Sequence, residues 1–158
     1  MIEMCILRKT LVLLVFIAAI TPASAANVSF LVIEAGLPNG QAASNQSNLW
    51  EEGLLDVFFE SGHIVSNAPV LSIPHKPDAG FPGEADKDFA DAINGGMEYF
   101  VIAIISHPAP HNVSLRLFRT SSQDMLFEQT YSDSRHVSAR DEHSAIMNSI
   151  RDFATQVR

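Results

Sequence analysis

Ten consecutive residues, Met97 to Ser106 (MEYFVIAIIS), are almost wholly apolar and rich in β-branched and aromatic side chains. Such a run is half of the ~20 residues that a membrane-spanning helix needs. Nothing in it alternates, so it leaves no face for water, and it reads as a strand covered on both sides at the centre of a sheet. One strand of that kind requires a layered domain with further strands beside it and helices over both faces. The chain has 158 residues, 47% of them apolar and 18% charged. That suffices for one such domain, falls short of two comfortable ones, and is too apolar for a disordered chain.

The rest of the sequence supplies the layers. Val28 to Ala35 (VSFLVIEA) is a short apolar run closed by Gly36, Pro38 and Gly40, and reads as a buried strand. Trp50, Leu54, Val57 and Phe58 recur at i, i+4, i+7 and i+8, the apolar stripe of a helix. Asn48, with Glu51 three residues on, is the expected cap of that helix, and Gly62 is placed to end it in a left-handed conformation. His63 to Ser66 follows as a second strand. Ala85, Phe89, Ala92 and Ile93 mark a second helix over Glu84 to Asn94, stopped by Gly95 and Gly96. After the central strand and a His107-Pro-Ala-Pro-His111 turn, Val113, Leu115 and Leu117 alternate with Ser114 and Arg116, predicting a strand with one wet face. Met125, Phe127, Gln129 and Tyr131 begin a last strand, hairpinned to the previous one. Ile146, Ile150, Phe153 and Val157 give a final helix from about Ala139 to the end, with Arg151 and Arg158 suited to its C-terminal dipole. The predicted order is β-α-β-α-β-β-β-α. This is a single α/β domain with a mixed five-stranded sheet, its first half parallel, its second an antiparallel meander, and its helices packed on the sheet.

One stretch resists this pattern. Pro69 to Gly83 holds Pro69, Pro74, Pro77 and Pro82 among Val70, Leu71, Ile73 and Phe81. Proline lacks a donor and fixes φ, so no central strand or helix is expected there. Fifteen residues without regular structure are long for a compact domain, and such loops are insertions or binding elements. Phe81, between Gly80 and Pro82, either tucks back onto the domain or faces a partner. Ile73, Pro74, His75 and Phe81 are the candidate contact residues, and the loop is expected to be trimmable with little change in melting temperature.

The first 25 residues read as a signal peptide. Arg8-Lys9 precedes the apolar run Leu11 to Ile20, Pro22 ends any helix, and Ala23-Ser24-Ala25 has the small-x-small pattern of a cleavage site after Ala25. Met1 and Met4 both serve as starts for such a leader. Cleavage leaves one domain over residues 26–158 with no membrane span. It takes Glu3, Arg8 and Lys9 away, leaving eight basic and 17 acidic residues, net −9. Cys5, the single cysteine, leaves with the leader, so disulfides and thiolate chemistry are excluded from the mature form, and no cysteine follows the apolar run to carry a lipid anchor. The acidic balance argues against nucleic acid.

The element order and its landmarks resemble a family of bacterial envelope modules: the LpoB-type penicillin-binding-protein activators, the curli secretion protein CsgG and the amino-terminal domain of TolB. Matching segments are the helix-to-strand passage Leu54-Leu55-Asp56-Val57-Phe58-Phe59-Glu60-Ser61-Gly62-His63-Ile64-Val65, the stretch Asn94-Gly95-Gly96-Met97-Glu98-Tyr99-Phe100-Val101-Ile102, and the hairpin from Val113 to Phe127. Ser121 or Ser122 stands where the family's hairpin has glycine, Phe127 where it has tryptophan, and the lipid-bearing cysteine is missing. The resemblance, from about Val28 to Tyr131, implies a non-catalytic, protein-binding periplasmic module.

The chemistry-bearing residues add little. Of six histidines, His107 and His111 flank one turn, but a pair falls short of the three or four ligands of a zinc site, so no metal or cofactor is expected. There is no Gly-x-Ser-x-Gly elbow, no phosphate-binding glycine motif, and no catalytic residue to assign. Glu51, Glu52, Asp56 and Glu60, and likewise Asp86, Asp88 and Asp91, read as solvated helix faces. The expected function is an exported, non-catalytic protein-interaction module of the cell envelope, with an envelope protein as partner. A periplasmic small-ligand or metal-binding protein is the alternative, carried by the histidines and the loop.

Overall fold

The computed structural model describes residues 25–37, 44–108, 112–132 and 138–157. The signal peptide up to residue 24, His111, His136, and the Pro38 and Gly40 expected to close the first strand lie outside the described residues. In chain order the elements are β1 (Asn27–Ala35), α1 (Asn45–Glu60), β2 (Ile64–Asn67), β3 (Leu71–Ile73), α2 (Asp86–Asn94), β4 (Tyr99–Ser106), β5 (Asn112–Arg119), β6 (Met125–Ser132) and α3 (Ala139–Ala154). A 3-10 turn, Gly83–Ala85, leads into α2.

The expected mixed sheet is present. Its strands run β2-β1-β4-β5-β6, with β1 parallel to β2 and β4 and an antiparallel meander from β4 to β6. It has six strands rather than five, because β3 lies inside the proline-rich stretch and pairs in parallel with β1. β2 pairs with the first half of β1 (Asn27 to Phe30) and β3 with the second (Ile33 to Ala35), so the two form one interrupted edge. Pro69 and Pro74 sit just outside the β3 ladder, which is how three residues pair without asking a proline for a donor.

Alternation along β1 and β4 divides the core in two. Val28, Phe30, Val32, Val101, Ala103 and Ile105 meet Trp50, Leu54, Val57 and Phe58 of α1 and Ile146, Ile150 and Phe153 of α3. On the opposite face Leu31, Ile33, Phe100, Ile102 and Ile104 meet Phe89 and Ala92 of α2. β4 is buried over seven of its eight residues, as its composition requires. The helical stripes are where periodicity put them, with one exception: Ile93 of α2 is exposed, since nine residues present only one narrow face.

α1 starts a turn earlier than Asn48. Its cap is Ser44, whose hydroxyl accepts from the Gln46 N–H at 3.2 Å. Both residue types cap well, and what favours Ser44 is a partner on β1, described below. The helix ends at Glu60, and Gly62 follows at φ +87°, the left-handed conformation expected of it. Gly53 has a different role. A Cβ there would lie 2.7 Å from Ile150 Cδ1 and 3.4 Å from Ile146 Cγ2, so its bare backbone is what lets α1 lie close on α3. Gly53→Val should therefore lower stability by about 1–3 kcal/mol through overpacking, read as a lower urea midpoint with an unchanged slope.

Candidate functional site

The proline-rich loop is fastened to the sheet. Arg116 of β5, expected on a wet face, is only 4% exposed because the loop folds over it. Its Nη1 donates to the carbonyls of Asp78 (3.1 Å) and Gly80 (2.8 Å), and its Nε donates to Glu128 Oε1 of β6 at 2.7 Å. A buried guanidinium is costly unless its donors are met, and here a carboxylate and two loop carbonyls meet them. The Arg116 guanidinium in turn holds the Glu128 carboxyl below its ordinary value, against the upward push of burial, with help from the Ser114 hydroxyl.

Phe81 is the second fastening. Its ring meets Phe89 at 4.9 Å and Phe118 at 5.0 Å between centroids, both edge-on. Edge-to-face pairs add about 0.5–1.5 kcal/mol to plain burial. Of the four candidate contact residues, Ile73 is buried and Phe81 half-buried among these rings, while Pro74 and His75 face solvent. His75 Nε2 lies 2.9 Å from Glu84 Oε1. Beside them a shallow cavity of about 170 Å³ is lined by Lys76, Asp78, Phe81 and Glu84.

A second polar cluster lies at the carboxyl ends of β1 and β4. Glu34 has no exposed surface. Its Oε1 accepts from the Ser44 N–H (2.7 Å) and the Ser44 hydroxyl (2.6 Å), and its Oε2 faces His107 Nε2 at 3.6 Å. Burial pushes this carboxyl up. The Ser44 hydrogen bonds, with Ser47 and His107, more than offset it and leave it below the ordinary carboxylate value. A charged residue inside the otherwise apolar run VSFLVIEA was the sequence signal for this site. Chemically it positions a helix start: Ser44 donates to the strand's carboxylate and accepts from the helix's Gln46.

The described histidines are dispersed. His63, buried between α1 and β2, accepts from the Ala26 N–H through Nδ1 at 3.2 Å, and burial lowers its pKa against the opposing pull of Glu98. His107 belongs to the Glu34 cluster, and its expected turn partner His111 lies outside the described residues. Among the described residues no three His, Cys, Asp or Glu side chains converge as a metal site, and no helix is long and apolar enough to cross a membrane.

Among the exposed apolar side chains that fall outside every stripe read from the sequence, three lie close together in the chain. Leu55 and Phe59 stand one turn apart on the outer flank of α1, and Ile64 opens β2. The signal for Leu55 and Phe59 was their position off the Trp50-Leu54-Val57-Phe58 face.

No family model matches the sequence, and no curated protein matches it. Solved structures are similar to it at low identity. The PelC dodecamer from Paraburkholderia phytofirmans has 14% identity and a TM-score of 0.47, covering 87% of this chain and 93% of that one. The LpoB C-terminal domain from Salmonella enterica has 16% identity and a TM-score of 0.45, covering 72% and 87%. TolB from Acinetobacter baumannii has 16% identity and a TM-score of 0.42, covering 85% of this chain and 29% of that one. LpoB and TolB, to which the sequence was likened, are thus among the solved structures this chain is similar to, at low identity.

Two expected outcomes follow from the clusters. Phe81→Ala should cost about 2 kcal/mol, below the range for a fully buried phenylalanine, and excising residues 75–81 should lower the melting temperature clearly. The expectation that the loop can be trimmed with little change in melting temperature is set against its contacts with Arg116, Phe89 and Phe118. Glu34→Gln should destabilise by about 1–3 kcal/mol at neutral pH by unbalancing a buried acceptor. Because the folded carboxyl titrates below its unfolded value, its contribution is complete above pH 4.5 and is lost as pH falls through the folded value. The gap between Glu34→Gln and the parent should therefore narrow in acid, as chemical denaturation at a series of pH values would read.

Proposed function

We propose that this chain is a non-catalytic protein-interaction module of the bacterial cell envelope, exported to the periplasm and released by cleavage after Ala25 without a lipid anchor. The reading assigns it an envelope protein as partner, and no cofactor, metal or nucleic acid. The observation that carries it is the loop held from beneath by Arg116 and Phe81. A loop fixed in advance loses little conformational entropy on binding, which is the commonest cost of recognition by loops. In this reading Pro74 and His75 touch the partner, and Ile73 and Phe81 hold them in place. The leader's basic pair, apolar run and small-x-small end support export. Ala25 is exposed and β1 begins at Asn27, so a cut there leaves every strand whole.

Crosslinking pulldown from the native organism tests the reading. The parent should recover an envelope protein that Pro74→Ser/His75→Ser recovers at least tenfold less, both proteins melting at the same temperature. Equal recovery by the two would contradict the loop's part in binding, and nothing above background from the parent would contradict the reading as a whole. Edman sequencing of the purified mature protein should begin at Ala26.

A further inference from the structure

Between Ala26 and His75 the sequence contains no lysine or arginine, while Glu34, Glu51, Glu52, Asp56 and Glu60 all fall there. Glu34 is sealed inside. The other four lie on α1, which has no basic residue of its own. A helix C-terminus carries about half a negative charge from its aligned peptide dipoles and ordinarily attracts cations. The last turn of α1 instead holds Val57, Phe58, Phe59 and Glu60, directly after Asp56. Among the described residues the one cation paired with it, Arg151 of α3, lies 3.6 Å from Glu60 with both side chains more than half exposed, a geometry worth little in water.

On this acidic ground stand Leu55, 44% exposed, and Phe59, 73% exposed. Four residues apart, they are neighbours on one helix face. Glu51 borders that stripe on the side of β2, where its Oε1 accepts from Asn67 Nδ2 at 2.5 Å. Glu52 and Asp56 border it on the other side and are exposed. Among the described residues β2 pairs only with β1, so its outer edge, opened by the 62% exposed Ile64, continues the surface.

We propose that the outer flank of α1, with Leu55 and Phe59 at its centre, docks a protein segment in which apolar side chains are flanked by lysine or arginine. Apolar anchors would bury the Leu55 and Phe59 side chains, and the flanking cations would meet Glu51, Glu52, Asp56 and the negative helix end. An anionic lipid surface is disfavoured by like charge, and a second copy of an acidic chain by the same repulsion. The inference deepens the reading of the chain as an interaction module and uses a surface separate from the Pro74–His75 loop.

A benzophenone amino acid placed at position 59, with a control at the exposed Ile93 on the opposite face of the sheet, tests it in intact cells of the native organism. Position 59 should capture a protein whose crosslinked peptide, identified by mass spectrometry, is apolar with net positive charge. Glu52→Lys/Asp56→Lys should cut that yield at least fivefold, and Phe59→Ser should leave the melting temperature unchanged. The proposal falls if position 59 captures nothing, lipid, or another copy of this chain. It falls too if position 93 gives the same product equally well, or if charge reversal leaves the yield intact. Loss of pulldown in Pro74→Ser/His75→Ser together with failure at position 59 would sink this proposal alone. Success at position 59 with an unaffected loop variant would sink only the loop's part in binding.

Discussion

β1 and β4 lie side by side with both faces withdrawn from water, and a sheet built on them must be roofed twice. One roof is ample: α1 and α3, sixteen residues each, meet across Gly53 and cover the sheet from β1 toward β6. Among the described residues the other has only α2, nine residues long. Ile73 and Phe81 of the proline-rich stretch complete it. The proline-rich stretch is thus the remainder of a layer that one short helix could not supply. Its position is also why Arg116 can be buried, because the loop that shuts out water brings the carbonyls of Asp78 and Gly80 as acceptors.

Glu34 applies the same principle under the opposite roof. Its carboxylate stays charged without water because Ser44 offers two donors, and Ser44 is fixed there because it also caps α1. Strand end and helix start therefore constrain each other. Through α1 the coupling extends to its far end, where His63 accepts from the Ala26 N–H at the beginning of β1. One helix is tied to both ends of one strand by polar contacts that the apolar core between them does not provide.

What could be read in advance follows from this division. Trp50, Leu54, Val57 and Phe58, the run through β4, and the alternation in β5 each report the environment of their own element, and periodicity suffices for them. Arg116 looked wet because alternation says which side of a strand a residue takes and not what later covers that side. β3 escaped notice because three residues carry no period, and its pairing is decided by β1, whose second half β2 leaves open. Ser44 and Asn48 are equal as caps on local grounds, and the deciding partner sits ten residues back on a strand. The misread positions are those whose partner is distant in sequence, and they are also the positions that fasten the loop and the helix start.

A molecule roofed on both faces has few places left for a partner: the outside of the loop, the two sheet edges and the flanks of the helices. The core does not need Leu55 or Phe59, since the buried stripe of α1 is complete without them. Phe59 in water at an acidic helix end adds nothing to folding, and its ring and the neighbouring carboxylates make opposite demands on solvent. Both demands are met by one kind of neighbour, a side chain with an apolar stem and a cationic head, of which lysine and arginine are the two examples. The absence of either residue from Ala26 through His75 leaves the β1-α1-β2 edge to receive them from elsewhere.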